Sequence, residues 1–182
     1  LTMSSGMKEI QNRNDNEVYP IAVAFSKGLL MGARGNSGVI TSQIFRGFAQ
    51  SLEGKKVMNA VDLAEAFVNG SEVAYKAVIR PVEGTILTVI RESSKAMLAH
   101  VNADFAIEKA FSFLLTEAKA SLQRTPELLP ILKEVGVVDS GGFGLVTIFE
   151  GMEKALLGDV VEKSQATVFE ERLPQPEFKG EK

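Results

Sequence analysis

Residues 28–43 read GLLMGARGNSGVITSQ. Gly32, Gly35 and Gly38 recur every three residues, Asn36 and Ser37 lie between the last two, and apolar segments flank the stretch on both sides. The flanking apolar residues follow helical spacing, so the stretch reads as a break between two helices. A plain turn there needs one glycine or two. The surplus points to something that approaches the backbone closely.

Working outward, apolar residues keep the helical period along most of the chain. Leu63, Ala66, Phe67, Gly70, Ala74, Ala77 and Val78 share one face, and Ile107, Ala110, Phe111, Leu114, Ala118 and Leu122 another. Leu145, Ile148, Phe149, Met152 and Leu156 form a third stripe. The pattern predicts helices over 2–11, 17–31, 38–52, 62–78, 85–100, 104–122, 126–135 and 140–157. Thr125-Pro126-Glu127 reads as a helix start, with an N-cap, a proline at the first helical position and an acid in the first turn. Gly136 fits the stop. No alternating strand precedes residue 160, and no internal repeat is evident. Residues 1–160 read as one all-α domain of about eight helices, packed mostly antiparallel because the loops are short. Residues 161–182, with Pro174, Pro176 and many charges, read as a linker or tail in which 166–169 is extended.

Composition narrows the function. The chain has 182 residues, 45% hydrophobic and 24% charged, with a net charge of −3. No global basic field exists to attract nucleic acid or an anionic membrane. No apolar run is long enough to span a bilayer. The absence of cysteine excludes a disulfide framework, a thiolate zinc site and a cysteine nucleophile, and suits a reducing cytoplasm. With one histidine, His100, multi-histidine metal sites and serine–histidine machinery are not expected. The chain opens Leu1-Thr2-Met3, without an initiator methionine or a basic leader, and reads as beginning inside a motif.

Three predicted helices open with the same chemistry. One follows Gly35-Asn36-Ser37-Gly38, one Glu83-Gly84-Thr85, and one Asp139-Ser140-Gly141-Gly142. The first amides of a helix have no internal partners and sit at the positive end of its dipole. A glycine there removes the side chain that would hold a phosphate away. The competing reading is that Asn, Ser, Thr and Asp are simply the best N-caps. Asp139 is the most cap-like; it would serve a ligand through a cation or a ribose hydroxyl. The P-loop pattern fails, because Val39 follows Gly38 where a lysine is required. The GxGxxG dinucleotide pattern is absent. Arg34 is a candidate phosphate partner or a solvated loop arginine, and His100 complements a helix dipole. The Phe-rich stripes read as core, or as the lining of a pocket if the helices form a hollow barrel.

The segments GARGNSGVITSQIFRGF, KAVIRPVEGTILTV and LPILKEVGVVDSGGFGL, in that order, resemble the N-terminal kinase domain of bacterial fatty acid kinase. That domain is related to the nucleotide-binding L subunit of dihydroxyacetone kinase. The resemblance extends to about residue 160 and implies an antiparallel eight-helix barrel that binds ATP with Mg²⁺ at one end. It implies that Asn36 and Ser37, with Gly35 and Gly38, contact the phosphates. Gly84, Thr85 and Ile86 would lie along the nucleotide, and Asp139, Ser140 and Gly141 would close the site. The whole enzyme of that family phosphorylates a fatty-acid carboxylate held by a separate fatty-acid-binding partner protein, giving an acyl-phosphate. A cytoplasmic protein is implied, a homodimer at full length, with no nucleic acid partner and no membrane insertion.

The resemblance breaks at one point. The family's aspartate-rich loop, DGDTGTN, holds Mg²⁺ and belongs just before a segment like LTMSSG, where this chain begins. Mg²⁺ asks for hard carboxylate oxygens and neutralises charge in phosphoryl transfer. The expectation is a domain lacking its first helix and metal loop, with the Mg²⁺ ligands upstream of Leu1 and the chain inactive alone. No catalytic residue or metal ligand is assigned within it. The alternatives are a small-ketone kinase subunit of the dihydroxyacetone type and a non-catalytic helical regulatory module.

Overall fold

The computed structural model describes residues 1–159. The expected tail over 161–182 lies outside them. Among the described residues there are eight helices and no strand: α1 (Thr2–Ile10), α2 (Val18–Gly32), α3 (Gly35–Ser51), α4 (Ala60–Ala77), α5 (Ile86–His100), α6 (Ile107–Leu128), α7 (Pro130–Val135) and α8 (Ser140–Leu156). The all-α class is as expected.

Neighbouring helices run antiparallel. In α1 and α2, the Thr2 hydroxyl faces the Gly32 carbonyl at 3.5 Å while Ser5 and Gly6 lie against Gly28. In α5 and α6, Arg124 pairs with Glu92 at 2.5 Å, and His100, at the last turn of α5, stacks on Phe113 at 3.9 Å. In α6 and α8, Ser112 donates to Glu153 at 2.8 Å and Lys119 lies 3.8 Å from Glu150. Glycine permits two backbone-close crossings. A Cβ on Gly28 would sit 2.8 Å from Gly6 Cα, and one on Gly47 would sit 2.7 Å from Gly70 Cα.

The apolar stripes meet in one core. Phe25 and Phe45 pack edge to face at 5.2 Å, and Phe149 packs edge to face on Phe67 at 5.4 Å and Phe111 at 5.7 Å. Such pairs add about 0.5–1.5 kcal/mol beyond the area they bury. Of these rings, Phe25, Phe45, Phe67 and Phe111 also form the inner wall of an apolar cleft of about 750 Å³, which runs from Met3 and Met7 of α1 to Ile148 and Met152 of α8. No helix among the described residues is long and apolar enough to cross a membrane.

One predicted start is corrected. Thr125-Pro126-Glu127 does not open a helix; α6 runs through it to Leu128, and Pro130 opens α7 instead. Proline at 126 has no N–H for the carbonyl four residues back, that of Leu122. The buried Thr125 hydroxyl donates to that carbonyl at 2.7 Å and replaces the missing bond. Gly136 is the expected stop, left-handed at φ 77° and accommodating the last turn of α7. Other boundaries shift modestly. α4 opens at Ala60 behind a reciprocal cap between Asn59 and Asp62, and α3 opens at Gly35, three residues before the predicted Gly38.

Candidate functional site at three helix starts

The starts of α3, α5 and α8 meet at Gly141. A Cβ built there would lie 2.8 Å from Ser37 Oγ, 3.4 Å from Ile86 Cβ and 3.3 Å from Asp139 Oδ2. These atoms come from segments 37, 86 and 139–141, far apart in the chain and brought together at one end of the bundle. A residue larger than glycine would fill the space they share.

The three starts differ in what their amides already do. At α8, Asp139 accepts from the Gly142 amide at 2.7 Å, and its own N–H donates to the Thr125 hydroxyl at 3.1 Å. At α5, Thr85 accepts from the Leu87 amide at 3.3 Å, and its hydroxyl donates to the Val82 carbonyl at 2.7 Å. The start of α3 carries no side-chain cap. Ser37 is the third residue of that helix, not its cap, and its side chain is exposed. The competing reading of Ser37 as a capping residue is therefore wrong. The positive end of α3 has its amides open to an anion. Gly35, at φ 68°, has nothing within 4 Å of where its side chain would be. Gly38 is buried, and its missing Cβ would lie 2.7 Å from the Thr2 hydroxyl.

The ten predicted site residues therefore play different parts. Gly35, Asn36, Ser37 and Ser140 are exposed, Thr85, Asp139 and Gly141 are half-buried, and Gly38, Gly84 and Ile86 are buried and form wall. The Gly84 amide is turned inward and donates to the Thr88 hydroxyl at 2.8 Å. Arg34 immediately precedes α3, and its guanidinium donates to the Ala33 carbonyl at 3.0 Å. His100 is at the opposite end of α5.

Sequence reasoning missed the residues that brace the site. Thr88 and Thr125 are both fully buried, and each accepts a backbone N–H from a site loop, that of Gly84 or Asp139. Glu83 accepts from the Thr88 hydroxyl at 2.5 Å, from Arg91 at 2.7 Å and from the Tyr75 hydroxyl at 3.1 Å. Burial pushes the Glu83 carboxyl up, but these hydrogen bonds outweigh it and hold the group below the usual carboxylate range. Burial, the largest influence on Tyr75, raises its phenol.

The chemistry of this donor set suits phosphate: open amides, two serine hydroxyls and a glycine cradle. It does not suit Mg²⁺. Among the described residues no three His, Cys, Asp or Glu side chains gather, and the Asp139 carboxylate is engaged by its own helix start.

The fold and this arrangement define an all-α domain in which three helix N-termini meet at one end of the bundle. The chain belongs to the DAK2 domain family, whose model matches residues 1–154. It is thus a kinase-related domain of the dihydroxyacetone kinase family, in which such domains bind nucleotide. The chain is 50% identical to Protein YloV of Bacillus subtilis over 161 residues, 88% of this chain and 29% of that protein. It is 47% identical over 177 residues to an uncharacterized protein of Staphylococcus saprophyticus, covering 97% of this chain and 32% of that one. A Staphylococcus aureus relative, also uncharacterized, is 49% identical over 168 residues, 92% and 31% respectively. The chain spans about 30% of the length of these curated relatives.

Proposed function

We propose that the end of the bundle at Ser37 and Gly141 binds the phosphates of ATP, and that the protein transfers the γ-phosphoryl group to a fatty-acid carboxylate. The observation that carries the reading is the meeting of Ser37, Ile86 and Asp139 around the empty side-chain position of Gly141. Membership of the DAK2 family supports nucleotide binding. The three segments resembling fatty acid kinase support the acceptor, which a separate fatty-acid-binding partner protein would present.

In this account the α3 amides and the Ser37 hydroxyl hold phosphate oxygens in the positive field of the helix start. The glycine at 141 lets α8 close over them. A carboxylate acceptor is ionised at neutral pH and needs no proton removed. Its oxygen bonds to the γ-phosphorus, the bond from that phosphorus to the β-phosphate oxygen breaks, and ADP leaves with the electron pair. The product is a mixed anhydride, the acyl-phosphate. The described residues supply no ligand set for Mg²⁺.

The test is calorimetric titration with MgATP, on this chain and on one as long as its relatives, followed by hydroxylamine trapping of acyl-phosphate with fatty acid and its carrier protein. Binding with a hydroxamate product supports the account. Binding with dihydroxyacetone as the only acceptor would replace the acceptor. No binding by the longer chain would leave the helical regulatory module as the better reading.

A further inference from the structure

The turn before α5 is held by an arrangement that the phosphate-binding account does not itself require. Gly84 is left-handed at φ 82°, and it is packed so closely that a Cβ there would lie 2.8 Å from the Thr125 carbonyl oxygen and 2.7 Å from Leu129 Cβ. Its N–H donates to Thr88 Oγ1 at 2.8 Å. The Thr88 hydroxyl in turn donates to Glu83 Oε2 at 2.5 Å. A hydroxyl has one proton and two lone pairs. Because the carboxylate takes the proton, a lone pair is left facing the Gly84 amide. Arg91 and the Tyr75 hydroxyl hold the carboxylate in place, at 2.7 and 3.1 Å, and Arg91 also donates to Tyr75 at 3.0 Å. One fully buried hydroxyl thus restrains both residues that precede Thr85.

We propose that Thr88, oriented by Glu83, is a positioning residue that sets the Gly84 turn and thereby the placement of Thr85 and Ile86 against Ser37 and Gly141. The inference rests on the phosphate-binding reading for its functional consequence, but its geometric part stands without it. Thr88→Val keeps the shape and removes the hydroxyl; Thr88→Ser keeps the hydroxyl. Met97→Ala, a fully buried change near the other end of α5, serves as a control that weakens the fold without touching the turn.

Two readouts are taken on the full chain and on one as long as its relatives: exchange of the Gly84 amide relative to that of Ile90 in the same molecule, and MgATP affinity of the folded fraction. Thr88→Val is expected to speed Gly84 exchange selectively by about tenfold or more, and to weaken MgATP by about tenfold, the loss typical of one hydrogen bond. Thr88→Ser restores both, and Met97→Ala lowers the melting temperature while changing neither. Unchanged Gly84 exchange in Thr88→Val overturns the proposal. Faster exchange with unchanged MgATP affinity overturns its functional half. If the unsubstituted protein binds no MgATP, the phosphate-binding reading fails, and Gly84 exchange alone decides whether Thr88 sets the turn.

Discussion

The Ser37 hydroxyl stands where a side chain at position 141 would press: a Cβ on Gly141 would lie 2.8 Å from Ser37 Oγ. The clash involves the tip of a short, exposed side chain, so the fold can relieve it by turning Ser37 aside. Alanine also favours a helix over glycine by about 1 kcal/mol. Gly141→Ala is therefore expected to change folding stability by less than about 1 kcal/mol while lowering MgATP affinity about tenfold. Denaturant melts and calorimetry on the same sample check both halves. Unchanged affinity would mean that Ser37 and Gly141 do not face a common ligand.

Ser37→Ala separates binding from capping more cleanly than the sequence implies. Ser37 is the third residue of α3 and caps nothing. Alanine there loses no cap and gains up to about 0.5 kcal/mol of helix propensity. Stability should stay level or rise slightly, and MgATP affinity should fall about ten- to a hundredfold if the hydroxyl donates to a phosphate oxygen. A loss of about 1 kcal/mol or more in stability would instead show a structural role for the hydroxyl.

Thr125→Val tests the brace between α6 and α8. The substitution keeps the buried shape but leaves the Leu122 carbonyl without the donor that replaces the proline's missing N–H. It also leaves the Asp139 N–H without its acceptor. A loss of about 2–4 kcal/mol is expected by denaturant melt, with Thr125→Ser recovering most of it. A loss under about 0.5 kcal/mol would contradict the assignment.

Acid should weaken the fold through Glu83 and Asp62. Hydrogen bonds hold both below the ordinary carboxylate range: Asp62 chiefly through Lys55 and the Asn59 amide, and Glu83 through Thr88, Arg91 and Tyr75 against the upward push of burial. For a lowered folded pKa, the stabilisation is fully present above the unfolded value and is lost as pH falls through the folded one. The melting temperature should stay level from neutrality to about pH 5 and fall below about pH 4. Glu83→Gln should shallow that fall; a variant that follows the unsubstituted curve would rule out Glu83 as a contributor.

The helices were legible because their apolar residues keep one period. The helix starts near Gly35, Thr85 and Asp139 were legible because glycine beside Asn, Ser, Thr or Asp has a restricted use. Thr125-Pro126 was misread because a threonine hydroxyl can cap a helix from outside or bond a carbonyl within one. Burial of Thr125 and the second proline at 130 decide between them, and the first of these is a property of the fold. Ser37 looked like a cap for the same reason: local chemistry does not say that α3 begins two residues earlier, at Gly35. The Glu83 network was not legible at all. It needs Tyr75 from α4 and Arg91 from α5 to meet one carboxylate across a loop, and no spacing rule within a helix records that.

The most direct test of the central claim is an NMR titration of the isotope-labelled chain with MgATP into the millimolar range, following the backbone amides of Ser37, Thr85 and Gly141. The account predicts that all three shift together along one binding curve, with the His100 end of α5 unmoved. Shifts confined to a single start, or shifts along the apolar cleft at Met7 and Met152 with the three starts silent, would contradict it.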